Sequence, residues 1–565
     1  MPTINTNPRW WGWGVLAPAH GLDDCPDLWP ALQKWLRIPQ SSTNHQCPPA
    51  PLHDVHLCSS HLDAPLASSL RSILGDEAVR TDDPTRLAHS YGKSYGDLVR
   101  MRAGYVPNPP DAVVYPSDPS QIASVLTWAS ERGIAVIPFG GGTSLTGGVE
   151  CTRSDRPVIT LNMARLSQVL FVDTESMTAR IQAGATGPEI ESCLNSEGFT
   201  LGHFPQSFEL STLGGWIATR SVGRCAILYG GIDRLTQAIK VVTPTGLVET
   251  GAVHFTEPGP SLLHLLIGSE GSYGVIVEAL MRIHRLPNAR DYRIVRFSNW
   301  QDGVAACREI VLSNHLRPAT LHLADPLEAR ILALTVPERC TRKGLLPGVL
   351  GRRPSLISSQ GLSSEDVLLI AGFEGEPDWL KQQWSITLAI CSGHGGAVSL
   401  KGADRFWECQ LYRQPYLRDE MIARGIMVDT VTASSSWSDV CELYESVRGA
   451  LSGAIATTGS GTGYLMTHLS NVHRHGTTLV TTYLATQTPD PSPLARQAQC
   501  ETIRQAARDA ILARGGLLAH NRLTEGNGLL GQTGHNRRFC ARLHRSIKQT
   551  FDPVGILNPS LPDPL

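Results

Sequence analysis

Apolar positions along the chain follow two patterns. From about residue 86, short runs of β-branched and other apolar residues alternate with stretches in which apolar residues return every three or four positions. The first pattern is typical of buried strands and the second of amphipathic helices. In the clearest example, Ala112–Tyr115 and Ile134–Pro138 predict strands, and Pro119–Glu131 predicts a helix that Gly133 ends. This order predicts a βαβ unit that runs into a glycine-rich loop.

Residues 1 to about 85 differ from the rest of the chain. They are rich in Trp, Pro and His and predict one helix, Asp27–Leu36, before a stretch of Ser, Pro, His and Cys at Gln40–Asp63. We interpret this part as an extended arm or linker. Its imidazoles and thiols raise the alternative of a zinc site, built from His45, Cys47, His53, His56, Cys58 and His61. Because these residues lack the paired spacing that orients tetrahedral ligands, we prefer a solvated loop and predict no metal site.

Composition narrows the class of protein. With 565 residues, 41% of them hydrophobic and 18% charged, the chain predicts several globular domains. The formal charge of -2 provides no basic excess to bind a phosphate backbone, so nucleic acid is excluded as a partner.

Cysteine usage and the terminal segments predict a cytoplasmic protein. The 13 cysteines are scattered and odd in number, which is typical of a reducing compartment. The first residues lack a basic region followed by an apolar run, and no window approaches the roughly 18 apolar residues that span a bilayer. The final residues Asp563-Pro564-Leu565 differ from the peroxisomal Ser-Lys-Leu signal. We therefore expect neither a signal peptide nor a transmembrane segment.

Four segments rich in glycine and hydroxyl side chains follow predicted strands. The first segment, Pro138–Gly148, contains three consecutive glycines, whose backbone N–H groups can turn toward a pyrophosphate. Its spacing matches neither G-x-G-x-x-G nor a Walker A loop, and a mobile linker is the alternative interpretation. The second, third and fourth segments are Gln206–Trp216, Thr219–Gly223 and Gly268–Ile276. Together the four segments indicate one long ligand held at several points, as a dinucleotide requires.

The order of these segments and their amino-acid sequences resemble the PCMH-type FAD-binding domain of the vanillyl-alcohol-oxidase superfamily. Within that superfamily the chain is most similar to the alkyldihydroxyacetonephosphate synthase family, flavoenzymes that make ether-lipid precursors. The similarity also includes Trp10–Gly14, Ser90–Leu98, Tyr416–Asp419 and Phe551–Pro559, and it covers most of the chain.

The resemblance implies an α+β fold with several parts. These are an N-terminal arm at 1–85, a two-subdomain FAD-binding domain at 86–285, an antiparallel-sheet cap domain at 286–500, and a helical C-terminal segment at 501–565 that returns to the flavin. Because the first segment has no His, which tethers the flavin in some superfamily members, we expect noncovalent FAD. The residues implied to contact FAD are Pro138, Phe139, Gly140, Gly141, Gly142, Thr143, Ser144, Gln206, Ser207, Phe208, Glu209, Leu210, Ser211, Thr212, Thr219, Arg220, Ser221, Val222, Glu270, Gly271, Ser272, Tyr273, Gly274, Val275 and Ile276.

The implied reaction replaces the acyl group of acyl-dihydroxyacetone phosphate by a fatty alcohol, with no net redox change. In that family the flavin N5 is understood to trap the ketose carbon while one group leaves and the other adds. Arg418 occupies the family's phosphate-binding position, and its guanidinium geometry suits a phosphate or carboxylate. A surface ion pair with Asp419 is the alternative. We expect a small anionic substrate, which a lipid-like molecule would also satisfy. A homodimer is compatible with this resemblance.

The catalytic positions depart from the family pattern. The family's Tyr, four residues after a Gly in a strand, corresponds to Val480, and Tyr483 lies in the wrong alternation unless a bulge intervenes. The family's three consecutive His residues correspond to His520, Asn521 and Arg522. The resemblance implies that His520 is the remaining acid/base group.

Other changes predict a different substrate cavity. His322 corresponds to a family Arg. Hydroxyl residues occupy Thr477–Thr482, and the segment before them is dense in imidazole, with His468, His473 and His475. We therefore expect a smaller and more polar cavity, although surface or core histidines are the alternative for each.

Three functions remain open from the sequence. The first is a synthase-like flavoenzyme with an altered substrate, which uses Arg418 as anion clamp, His520 as acid/base, and the neighbouring Asn521, Arg522 and Tyr483 in the same site. The second is an FAD oxidase or dehydrogenase of a small hydroxy acid or alcohol. The third is a flavin-binding relative without turnover.

Overall fold

The computed structural model describes residues 9–14, 21–38, 47–151, 156–251, 259–335, 365–401, 412–459, 461–519 and 534–559. The strands are β1 Val79–Arg80, β2 Ala112–Val114, β3 Ala135–Phe139, β4 Val158–Asn162, β5 Val169–Asp173, β6 Thr178–Gln182, β7 Phe199–Thr200, β8 Thr236–Thr243, β9 Gly246–Glu249, β10 Val275–Arg282, β11 His284–Arg285, β12 Ala289–Phe297, β13 Thr320–Ala324, β14 Val367–Gly375, β15 Ala397–Lys401, β16 Ile426–Ser436, β17 Tyr464–His473, β18 Gly476–Thr486 and β19 Leu517–Ala519.

The α-helices are α1 Leu28–Trp35, α2 Ala64–Leu74, α3 Asp83–Ala88, α4 Tyr95–Arg102, α5 Pro119–Arg132, α6 Gly187–Ser196, α7 Leu213–Ala218, α8 Ala226–Tyr229, α9 Ile232–Leu235, α10 Leu262–Leu266, α11 Trp300–Leu312, α12 Pro326–Leu334, α13 Pro377–Gly393, α14 Gln414–Ala423, α15 Val440–Thr457, α16 Pro493–Ala513 and α17 Gly534–Phe551. Short 3-10 helices lie at Leu22–Asp24, Leu52–Asp54 and Asp76–Ala78.

Two sheets form the part of the chain that carries the glycine-rich segments. The first sheet has the order β1-β2-β4-β3, in which β4 pairs in parallel with both β2 and β3. The predicted βαβ unit is confirmed: α5 joins β2 to β3 and ends at Gly133, which has φ 64°. The first segment begins inside the carboxyl end of β3. The second sheet is antiparallel with the order β5-β6-β10-β8-β9, and the fourth segment leads into β10. One apolar core joins both sheets.

The cap is an eight-stranded antiparallel sheet with the order β15-β12-β14-β13-β17-β18-β16-β19. It begins at Ala289, close to the predicted boundary at residue 286. One face packs on α11, α13, α15 and α16 in a second apolar core. On the other face, α12 covers β13, β14 and β17. The mixed helix and sheet architecture with an antiparallel cap confirms the predicted α+β class.

The N-terminal region is packed rather than extended. Its predicted helix is confirmed as α1, which buries Leu28 and Leu32 against the cap, and Trp35 stacks on Tyr464 with ring centroids 4.7 Å apart. Farther along, α2 and β1 join the first sheet and its core. In its described residues, the region that we interpreted as an extended arm or linker therefore packs its apolar side chains on two different cores. Cys47 is buried and Cys58 is exposed, and His45 lies outside the described residues.

The C-terminal region divides between the two cores. The helix α16 and the strand β19 belong to the cap, whereas α17 and the residues after it pack on the first two sheets. The backbone N–H of Val136 donates to Ile556, and the N–H of Asn558 donates back to Val136. The last described residues therefore lie against the first sheet and the glycine-rich segments.

Candidate functional site

The four glycine-rich segments meet in one place. A Cβ added at Gly141 would lie 1.8 Å from the carbonyl oxygen of Leu210, so the first and second segments touch backbone to backbone. Gly271 of the fourth segment packs on Pro138 of the first, and Arg220 of the third packs on Gly268 of the fourth. Such close approach requires glycine, because a side chain would separate the segments.

The first segment presents a run of free backbone donors. None of the hydrogen bonds among the described residues uses the backbone N–H groups of residues 140–145. Gly142 has φ 63°, a left-handed conformation that helps to turn successive N–H groups toward one side. Consecutive N–H groups in such a concavity form an anion-binding nest. In the fourth segment, the buried hydroxyl of Ser272 also has no hydrogen-bond partner.

Strained backbone marks the same region. Among the described residues, six other than glycine have positive φ, and three of them border this junction: Arg220, Glu270 and Asn558. The side-chain amide of Asn558 donates to the carbonyl oxygens of Gly148, at 2.9 Å, and of Glu270, at 2.8 Å. Strain of this kind persists where surrounding contacts hold it, often at ligand sites. The amide therefore fixes the first segment to the fourth.

These features fit a bound dinucleotide. The glycine contacts bring four segments together, the free N–H groups supply donors for a pyrophosphate, and the Ser272 hydroxyl supplies another donor. The segments that the sequence analysis assigned to FAD are therefore assembled into one cradle.

A buried cation lies where this cradle meets the cap. Arg418, on α14, has its Nε and Nη2 atoms out of contact with solvent and without a hydrogen-bond partner. Burial lowers the pKa of Arg418, and the charges of Asp419, Asp429 and Asp97 offset part of that effect. Asp419 accepts the backbone N–H of Trp13. A guanidinium with unused donors in such a place is prepared for an anion.

The other carboxylates near Arg418 are already paired with different cations. Asp97 binds Arg100 at 2.8 Å, and Asp429 binds Arg504 at 2.8 Å. Arg418 itself forms no ion pair within 4 Å with any described residue. Its positive charge therefore remains available to a ligand.

A second cation, which the sequence analysis did not select, lies beside Arg418. Lys93 is buried, its backbone N–H donates to the carbonyl oxygen of Ser144 at 2.7 Å, and its Nζ has no hydrogen bond or ion pair with a described residue. Burial lowers the pKa of Lys93 to about 8, and the charge of Arg418 adds to this effect. Two neighbouring cations, one from each side of the junction, could therefore meet one anion. In the sequence, Lys93 directly precedes Ser94, which caps the following helix, and this position was the available signal for the second cation.

The cap sheet contributes a row of side chains beyond α14. Ala519 pairs with Thr432, Thr432 with Val480, and Val480 with His468. Directly paired residues of antiparallel strands point to the same face, so the last three share one side of the sheet. This side carries hydroxyls, among them Thr478, which contacts a serine across the strands at 3.2 Å. Hydroxyl side chains therefore lie on the face of the sheet that carries Val480.

Comparisons with known proteins agree with this geometry. Residues 110–251 match the family described as FAD binding domain, and residues 286–561 match the family described as FAD linked oxidases, C-terminal domain. Alkyldihydroxyacetonephosphate synthase from Trypanosoma brucei brucei is 31% identical over 514 residues, which cover 88% of this chain and 81% of the relative. The chain belongs to the alkyldihydroxyacetonephosphate synthase family. It is an FAD-dependent enzyme.

Two further matches extend over nearly the whole chain. The synthase from Dictyostelium discoideum is 27% identical over 571 residues, covering 98% of this chain and 92% of the relative. A solved structure of an alkyldihydroxyacetonephosphate synthase superimposes with a TM-score of 0.82 at 25% identity, covering 98% of both chains. None of the helices in the described part of the chain is long and apolar enough to cross a membrane.

The structure separates Tyr483 from the other family positions. The pairing of β16 with β18 runs without a bulge from Ile426 to Ser436, so Tyr483 points to the opposite face from Val480. Its hydroxyl donates to Asp429 at 3.2 Å and lies 3.4 Å from Cys500, under α16. This correction follows from strand alternation, and we leave Tyr483 out of the proposed acid/base groups.

Replacing Tyr483 by Phe should therefore change stability rather than turnover. Loss of the buried hydroxyl removes its hydrogen bond and leaves Asp429 with Arg504, which should lower the free energy of unfolding by about 1–2 kcal/mol. Denaturant unfolding and turnover are measured on the same preparation. A large fall in turnover with normal FAD content would show that Tyr483 takes part in the reaction.

His520, Asn521 and Arg522 lie outside the described residues. The strand β19 ends at Ala519, which pairs with Thr432 in the row that contains Val480 and His468. Of the other histidines in that region, His473 and His475 are exposed at the β17–β18 turn, and His468 lies within the sheet. Of these three histidines, His468 is the one that pairs directly with Val480.

A further buried imidazole was missed by the sequence analysis. His203, three residues before the second segment, is completely buried, and neither ring nitrogen has a hydrogen-bond partner. Its ring lies 4.9 Å from that of Trp216, between the second and third segments. Burial lowers the pKa of His203 to about 3. A lone His in an apolar stretch gives no signal of this position.

The stability of this family member should fall in mild acid. Burial lowers the pKa of His89, His284 and His322 to about 4, as it lowers that of His203 to about 3. These groups stay neutral in the folded protein, but bind protons below about pH 6.5 once unfolded, so stability declines from that pH toward 4. Each fully buried imidazole contributes up to about 1.4 kcal/mol per pH unit. Asp325, whose pKa burial raises to about 6, opposes this in part.

Urea unfolding between pH 7 and pH 4.5 measures this decline. His203→Leu leaves no polar atom without a partner and should make the decline shallower, whereas His475→Leu, at an exposed position, should leave it unchanged. Equal slopes in all three proteins would contradict the assignment of a neutral His203.

Proposed function

We propose that the protein exchanges an acyl or similar group for an alcohol on a small phosphorylated or otherwise anionic substrate. The observation that carries this proposal is the Arg418 guanidinium, which is buried and unpaired at the junction of the FAD cradle and the cap. The names of the relatives, alkyldihydroxyacetonephosphate synthase, support an exchange reaction of this type. Such a reaction belongs to the synthesis of ether lipids.

The residues of the chain have separate tasks in this proposal. Arg418 and Lys93 hold the anionic end of the substrate, because each has charge and donors that no described residue uses. The first segment holds the pyrophosphate of noncovalent FAD through its free N–H groups. When bound, the flavin supplies the ring nitrogen at which the reacting carbon is held during exchange.

The proton transfers belong to the row of residues on the cap sheet. His520 remains our proposed acid/base group, and the pairing of Ala519 with Thr432 supports its approach to that row. We place Asn521 and Arg522 beside it, where they replace two imidazoles of the family pattern. The half-buried Val480 replaces the family phenol. A substrate that differs from acyl-dihydroxyacetone phosphate therefore forms part of the proposal.

The test combines substrate variation with the final state of the flavin. Purified holoprotein is incubated without oxygen with the acyl ester of dihydroxyacetone phosphate, and with acyl esters of other small anionic hydroxyketones, together with a labelled long-chain alcohol. We expect a labelled ether, an equal amount of released carboxylate, and flavin that ends oxidised. Flavin that ends stably reduced would show net oxidation of the substrate. Neither product nor spectral change across the panel would show a flavin-binding protein without turnover, and both results would overturn the proposal.

A further inference from the structure

Two imidazoles and a carboxylate form a buried hydrogen-bonded cluster on the cap. Glu328, on α12, contacts Nε2 of His322 through Oε1 at 3.1 Å and Nδ1 of His468 through Oε2 at 2.9 Å. The three residues come from α12, β13 and β17, and all are buried. The imidazole rings stack with centroids 4.2 Å apart. A carboxylate bonded to both rings fixes their positions.

The cluster lies next to the position of the missing phenol. His468 is the direct cross-strand partner of Val480, so their side chains point to the same face. A valine is shorter than the tyrosine of the family pattern and leaves the neighbouring imidazole uncovered on that side. The second ring nitrogen of His468, Nε2, forms no hydrogen bond with a described residue. The cluster therefore offers one free imidazole nitrogen beside position 480.

Charge distribution gives the three groups different tasks. Burial alone would raise the pKa of Glu328, but its interactions with His468 and His322 lower that pKa, so the carboxylate is ionised. Burial lowers the pKa of His322 to about 4, so His322 is neutral. His322 therefore positions the carboxylate, which can stabilise a positive charge on His468.

We propose that His468, held by Glu328, is the acid/base group that replaces the missing phenol and takes the proton of the incoming alcohol. The carbon–oxygen bond to the departing carboxylate breaks, and the carboxylate leaves with the bonding electron pair. As the alcohol oxygen bonds to the same substrate carbon, its O–H bond breaks and the proton moves to Nε2 of His468. The imidazolium is stabilised by Glu328 and then releases the proton to water. This inference deepens the proposed function and rests on it, and it assigns to His468 a second proton transfer beside that of His520.

A metal ion at the cluster is the competing interpretation. The ligand atoms of His322, Glu328 and His468 lie within 4.8 Å of one another. The nearest imidazole nitrogens are, however, already engaged in hydrogen bonds with the two carboxylate oxygens of Glu328, at 3.1 and 2.9 Å. Arg224, whose charge interacts with Glu328, adds a cation to the same region. Both observations favour protons over a divalent ion.

The test uses the difference between an alcohol and a carboxylate as the entering group. An alcohol must lose a proton on entry, whereas a carboxylate enters already ionised. In His468→Gln, alcohol incorporation should slow by about 10²- to 10⁴-fold, while exchange of labelled free fatty acid into the acyl substrate stays within about threefold of the unmodified protein. The KM for the anionic substrate and the FAD content should not change. Equal slowing of both exchanges would overturn the inference.

Restoring the phenol provides the second measurement. Val480→Tyr introduced into His468→Gln should recover part of the alcohol reaction, which a purely structural role of His468 would not allow. His475→Gln, at an exposed turn of the same hairpin, is the matched control and should be unaffected. No recovery with normal FAD content, or a stoichiometric divalent metal that disappears in Glu328→Gln, would also overturn the inference.

The same assays separate this inference from the proposed function. If the proposed function is wrong, the unmodified protein will catalyse neither alcohol exchange nor carboxylate exchange. Failure of the inference would appear with both exchanges present in the unmodified protein and reduced in parallel, or not at all, in His468→Gln.

Discussion

Arg418→Met should raise the KM for the anionic substrate by about 30- to several thousand-fold while FAD stays bound. Truncating one partner of a buried charged contact costs about 2–5 kcal/mol. Arg418 has two buried nitrogens without hydrogen-bond partners among the described residues, and a phosphate or carboxylate would occupy both. Methionine keeps much of the apolar length of the side chain and removes the charge. KM and flavin content are measured together.

The same substitution should stabilise the substrate-free protein. Because Arg418 forms no ion pair with a described residue, burial of its guanidinium costs desolvation energy. A methionine side chain carries no charge and does not incur this cost. We therefore expect the unfolding temperature to rise as the KM rises, the usual exchange between stability and function at a binding site. Arg424→Met, at the C-terminal cap of the same helix but ion-paired with Glu420, is the matched control and should leave the KM unchanged. A normal KM in Arg418→Met would remove the anion site from the proposal.

Gly141→Ala should abolish FAD binding. A Cβ at this position would meet the Leu210 carbonyl oxygen at 1.8 Å and its carbon at 2.7 Å, and both are backbone atoms that no side-chain rotation can move. The first and second segments would have to separate, which would turn the N–H groups of residues 140–145 away from the pyrophosphate. We expect the ratio of flavin to protein absorbance to fall more than about tenfold and activity to fall with it, since positioning depends on distances of about 1 Å.

Gly148→Ala tests whether this effect is local. Its Cβ would lie 3.5 Å from the Glu270 side chain, an ordinary contact, at the end of the same loop. We expect this variant to keep its FAD. If Gly141→Ala also purified with a full complement of flavin, the close approach of the two segments would not be needed for binding.

The sequence predicted the local elements of the flavin module well. The helix α5 and its strands follow from apolar periodicity and from Gly133, which ends the helix in a left-handed conformation. The glycine-rich segments could be found because close backbone approach restricts the residue type to glycine. The insertion of β4 between β2 and β3 was not predicted, because strand order depends on pairings between distant parts of the chain.

From the sequence, we could select a site residue only where a short motif around that residue indicates its role. Arg418 could be selected from its motif, whereas the cluster of His322, Glu328 and His468 depends on the pairing of β13 with β17, more than 140 residues apart. The burial of His203 and Lys93 is likewise a property of packing, and a single charged residue in the sequence does not reveal whether it has a partner. For Tyr483 the sequence was sufficient, because strand alternation alone places its side chain on the opposite face from Val480.

The amide of Asn558 has a consequence for how the protein is made. It joins Gly148 to Glu270, and the adjacent residues extend the first sheet by hydrogen bonds to Val136. Synthesis proceeds from the N-terminus, so the residue that fastens two walls of the cradle leaves the ribosome after the whole cap has been translated. Fastening of the first segment to the fourth through this amide is therefore a late step in folding, after translation of the cap.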